Sequence, residues 1–96
     1  MAIDFDYEIN EMSPGLKVAE GYLECEQIII HNIRKHLKKN IGDTSILIFL
    51  KKLSGYFNDR ITETQNTSDC TNYRYVEGFV NTLIKMPYWK TWIQTN

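Results

Sequence analysis

The sequence predicts an all-α protein: a three-helix bundle or helical hairpin with an extended N-terminal arm and a short C-terminal aromatic helix. Three observations carry this. Apolar residues recur at 3–4 spacing in three long segments, whereas only residues 2–10 alternate with period two. Start and stop signals at Ser13-Pro14, Ile41-Gly42 and Met86-Pro87 cut the rest of the chain into helix-length pieces. The 96 residues, 43% hydrophobic and 24% charged, suit one ordinary globular domain.

In the arm, taken as residues 1–12, the alternation puts Ile3, Phe5, Tyr7 and Ile9 on one face of an extended segment and Asp4, Asp6, Glu8 and Asn10 on the other. A lone strand leaves its backbone groups unpaired, and even a hairpin is marginal in water. As strand or irregular strap, the arm is expected to lie along its own helices, a second copy or another protein. Its removal is expected to leave residues 13–96 folded and to abolish binding.

Ser13 as N-cap and Pro14 at the first helical position open a helix running to Asn40, with Leu16, Ala19, Leu23, Ile30, Ile33 and Leu37 along one side and Glu26 interrupting the stripe. Gly42 is expected near the left-handed position that ends it, and Asp43-Thr44-Ser45 caps the next helix. That second helix, Ser45 to Thr62, carries Ile46, Phe49, Leu50, Leu53, Phe57 and Ile61. The short connection makes these two antiparallel neighbours. A polar loop over 63–69 precedes a third helix beginning near Thr71, with Tyr73, Val76, Phe79, Val80, Leu83 and Ile84, and Pro87 stops it. Each helix holds one interior glycine, and Gly78, within an apolar stretch, is a candidate for a close backbone crossing.

Tyr88, Trp89, Trp92 and Ile93 make one face of a last helical turn. Two tryptophans four positions apart either plug the open end of the bundle or anchor a partner.

The formal net charge of −1 hides an asymmetry. Residues 1–30 hold seven of the 12 acids and one base, Lys17; residues 31–60 hold seven of the 11 bases and two acids. The basic cluster of Arg34, Lys35, Lys38 and Lys39, joined by Lys51 and Lys52, offers contact with an acidic partner or with phosphates. The same cations also complement a helix C-terminus as plain solvated surface. A helix-turn-helix is excluded because its recognition helix would start Ser45-Ile46-Leu47-Ile48-Phe49, too apolar for base edges.

No cofactor or metal site is expected: His31 and His36, five apart, diverge on a helix, and Cys25 and Cys70 lack C-x-x-C spacing. No nucleophile signature and no Gly-rich phosphate loop occur, so neither an enzyme nor a small-molecule substrate is expected. With no apolar run of membrane-spanning length and no export signal, a protein of the host cytoplasm or a virion is expected, not a secreted or membrane one.

Within the third helix, Glu77-Gly78, Leu83 and Met86-Pro87 give a pattern that resembles one recurring in small helical-hairpin bacteriophage proteins. The resemblance implies a helical hairpin and a phage origin. Such proteins include virion components and host-directed inhibitors. The function expected is therefore a non-enzymatic protein acting by protein–protein contact, as a virion or assembly component or as an inhibitor of a host protein, through a protein partner, self-association or both. Ile3, Phe5, Tyr7 and Ile9 would form one contact, Trp89 and Trp92 the other. The alternative is a nucleic-acid-binding accessory factor using Arg34, Lys35, Lys38, Lys39, Lys51 and Lys52.

Overall fold

The N-terminal segment is a helix and not an extended arm. In the structure, a computed structural model describing residues 3–87, 89 and 91, Asp4 is an N-cap whose carboxylate accepts from the Tyr7 amide at 3.0 Å, and α1 runs Phe5–Val18. The expected strand is thereby overturned, and no strand occurs among the described residues. The reason lies in the spacing. Phe5 and Ile9 are four apart, and the series continues through Met12 and Leu16, so one helical stripe accounts for all four buried side chains. Ile3 and Tyr7, their partners in the strand reading, remain exposed.

Pro14 lies inside α1 and does not start a helix. Its missing N–H withdraws one bond from the helical ladder. α1 ends at Val18, Ala19 turns extended, and α2 begins only at Tyr22, so the single helix expected over 15–40 is two. Among the described residues there are thus four α-helices: α1, α2 (Tyr22–Lys38), α3 (Asp43–Glu63) and α4 (Ser68–Lys85).

Asn40, at φ 58°, and not Gly42, supplies the left-handed residue after α2. The Ile41 amide returns to the His36 carbonyl and the Asn40 amide to Leu37, both at 3.0 Å, which satisfies two carbonyls at the helix end. Thr67 caps α4 by accepting from the Cys70 amide, so this helix starts three residues before the expected Thr71.

Contacts along the helices give their directions. Leu16 meets Cys25 and Glu8 meets His36, so α1 and α2 are antiparallel. Ser54 meets Asn81 and Arg60 meets Tyr73, so α3 and α4 are antiparallel too. The most extensive helix pairing is α3 with α4; α2 packs on α4, and α1 lies across α2 and α3. The short α2–α3 connection therefore does not make those two helices the principal neighbours.

The core contains Phe5, Ile9 and Leu16 of α1, Ile29 and Ile33 of α2, Phe49, Leu53 and Phe57 of α3, and Val76, Val80 and Leu83 of α4. Trp89 is 0% exposed and its indole N–H donates to the Leu83 carbonyl at 3.3 Å, so it plugs this bundle. Trp92 lies outside the described residues, as do Tyr88 and Ile93. A Cβ on Gly78 would meet nothing within 4 Å, which removes the expected close crossing there. The tighter glycine is Gly15, where a Cβ would sit 3.7 Å from Ile28 Cδ1, between α1 and α2.

Candidate functional site

The antiparallel pairing of α1 and α2 leaves a groove of about 650 Å³ between them. Its apolar lining comes from Ile3, just before α1, Tyr7 and Met12 of α1, and Ile28 of α2. Its charges are sorted by helix. Asp4, Glu8 and Glu11 line the α1 side; His31, Lys35 and Lys39 line the α2 side. Each row follows helical spacing, i, i+4, i+7 on α1 and i, i+4, i+8 on α2, so each forms one edge. The rows also suit their own helices, with acids in the N-terminal part of α1 and bases toward the C-terminal end of α2.

The two sides are joined at one place. His36 Nε2 and Glu8 Oε1 are 2.6 Å apart, with the imidazole buried. Phe5 and Phe49 approach that ring edge-on, at centroid distances of 5.7 and 5.3 Å. This hydrogen-bonded pair fixes α1 to α2 and α3 together, whereas Lys35 and Lys39 make no ion pair among the described residues. At the lip, Tyr7 is 63% exposed, and Glu11 accepts its hydroxyl hydrogen bond, which raises the phenol above its ordinary pKa.

The site residues expected from sequence divide accordingly. Ile3 and Tyr7 are in the groove; Phe5, Ile9 and Trp89 are covered by the protein's own core and offer no surface to a partner. The basic cluster is dispersed. Lys35 and Lys39 line the groove, but Lys52 faces the other side of α1, where its ammonium binds Asp6 at 3.1 and 3.2 Å. Arg34 is half-buried, and Lys38 and Lys51 are exposed away from the groove lining. Met12, Ile28 and His31 were not expected to share a site with the α1 carboxylates. The signal for the acidic edge was present in the spacing of Asp4, Glu8 and Glu11, but it has meaning only once residues 5–18 are helical.

Both cysteines are buried free thiols. Burial, with Glu24 and Glu26 nearby, raises the Cys25 pKa, and its Sγ points at the Leu16 carbonyl at 3.6 Å. Among the described residues no three His, Cys, Asp or Glu side chains gather as metal ligands, and no helix is long and apolar enough to cross a membrane.

No family model, curated protein or solved structure matches this chain.

Proposed function

We propose that the protein acts without catalysis by binding another protein, seating a short amphipathic helix in the α1–α2 groove. The observation that carries this reading is the sorted lining: an apolar floor, carboxylates along one side, and imidazole and ammonium groups along the other. A helix with an apolar stripe between a basic and an acidic edge meets all three surfaces. The α2 edge runs from His31 to Lys39, eight residue steps or about 12 Å at 1.5 Å per step, which is room for about two turns of such a helix. Ile3 and Tyr7 at the lip supply exposed apolar anchors. The resemblance of residues 77–87 to small phage proteins favours, for the biological setting, a virion or assembly component or an inhibitor of a host protein.

The nucleic-acid reading is weaker on electrostatic grounds. A phosphate approaching Lys35 or Lys39 also meets Asp4, Glu8 and Glu11, and Lys52 is engaged by Asp6.

The experiment is a fluorescence anisotropy titration with three labelled helical peptides sharing one leucine stripe. One has a lysine edge and a glutamate edge, one has lysine on both, one has glutamate on both. The mixed-edge peptide binds most tightly, and Tyr7→Asp and Lys35→Glu each weaken it about tenfold, or ~1.4 kcal/mol. Equal binding of all three peptides contradicts the reading. Duplex DNA binding that falls steeply with salt would replace it with the nucleic-acid one.

A further inference from the structure

Residues 19–21, Ala19 to Gly21, join α1 to α2. Ala19 and Gly21 are both extended there, and Gly21 caps α2 with no side-chain hydrogen bond. On either side of this joint, Val18 is 78% exposed and Tyr22 36% exposed. The contacts between the two helices lie symmetrically about it. Glu8 with His36, Gly15 beside Ile28, and Leu16 with Cys25 are each centred within residues 20–22.

We infer that α1 exchanges between two copies of this chain. Residues 19–21 become helical, α1 and α2 merge into one helix, and each α1 takes on the partner the seat against α2 and α3 that it holds at home in the monomer. The pairing geometry permits this directly. Because α1 and α2 are antiparallel and their contacts centre on the joint, two straight helices related by a two-fold axis at the joint repeat the same pairing between copies. The register agrees. Glu8, Gly15 and His36 stand at multiples of seven residues from one another, Tyr22 continues that series, and Cys25 stands seven after Val18. A seven-residue repeat keeps such side chains on one seam of a supercoiled pair, so the straight form carries Val18 and Tyr22 into the seam beside the axis. The joint itself does not enforce the break. It contains no Pro, and Leu16, Ala19 and Leu23 continue the helical spacing through it. Gly21, at φ −178°, holds a conformation that any residue adopts, with nothing within 4 Å of an added Cβ. The Glu8–His36, Asp6–Lys52 and Ser13–Tyr56 contacts are kept in both forms, within a chain in one and between chains in the other. The two forms therefore differ mainly at residues 18–22. The inference is independent of what the groove binds, since the exchange rebuilds the groove from α1 of one copy and α2 of the other.

The test is to refold the full chain from denaturant at low and at several hundred micromolar concentration and to follow its mass by sedimentation velocity. Concentrated refolding of the wild type gives a dimer. In a dimer made from isotope-labelled and unlabelled chains, NMR contacts between Phe5 and Phe49, whose ring centroids lie 5.5 Å apart, run between chains. Gly21→Ala raises the dimer association constant about tenfold or more, because the helical cost of glycine is removed at two joints. Glu20→Pro follows an Ala19 already in the conformation favoured before proline, and it stays monomeric with an unchanged helical circular dichroism spectrum. Wild type and Gly21→Ala that are both monomeric after concentrated refolding, a dimer whose Phe5–Phe49 contacts stay within each chain, or a dimer that Glu20→Pro leaves intact overturns the inference.

Discussion

The imidazole of His36 and the carboxylate of Glu8, 2.6 Å apart, tie the first helix to the rest of the protein. Twenty-seven residues separate them in the chain, and only a helical α1 antiparallel to α2 brings them together. The same pairing creates the groove and explains the charge asymmetry of the sequence. The acid-rich first segment folds back beside the base-rich end of α2, and Glu8 and His36 pair across the two rows.

Replacing His36 by Ala is expected to destabilise the protein by about 2–4 kcal/mol, because it empties a buried space between Phe5 and Phe49 and removes the partner of Glu8. Urea denaturation followed by circular dichroism measures this. By comparison Lys52→Ala, at an exposed pair with Asp6, is expected to cost about 0–1 kcal/mol.

Deleting residues 1–11 is expected to destabilise the bundle strongly, contrary to the expectation from an extended arm. Phe5 and Ile9 belong to the shared core, and Ile9→Ala alone is expected to cost about 2–5 kcal/mol. A thermal melt of the truncated chain that matches full length would place α1 outside the cooperative unit.

What was legible in the sequence follows from which signals had a single reading. The stripes of α3 and α4 and the stop at Pro87 had no strand-like competitor, and the structure keeps them. Ile3 to Ile9 satisfied a two-residue period and, through Phe5 and Ile9, a four-residue one; burial of Met12 and Leu16 on the same stripe decided for the helix. The break at 19–21 was hidden because Leu16, Ala19 and Leu23 continue the spacing across it. Ser13-Pro14 reads as a helix start, yet Pro14 is tolerated inside α1. The groove was not legible, since it depends on which helices become neighbours.

Glu26 interrupts the apolar stripe of α2, and partial burial raises its carboxyl pKa. A raised folded-state value means that this group favours folding when protonated, below its unfolded pKa, and loses that contribution as pH rises through the folded value. Glu26→Gln is therefore expected to raise Tm at pH 7, with the advantage vanishing below about pH 4, where the wild-type carboxyl is protonated in both states. Paired melts at the two pH values check the sign.

Cys25 and Cys70 are expected to react with a thiol reagent only as fast as the protein opens, since both are buried and burial raises the Cys25 pKa. Native protein should label slowly and denaturant-unfolded protein at once. Rapid labelling of either thiol in the native protein would mean that α1 or the start of α4 opens locally.

Occupancy of the α1–α2 groove by a partner helix is read residue by residue in backbone NMR spectra recorded while the mixed-edge helical peptide is added. Shift changes concentrated at Ile3, Tyr7, Met12, Ile28, His31 and Lys35, saturating with peptide, are the predicted result. Saturable changes confined to α3 and α4, or none at the highest peptide concentration, would contradict it.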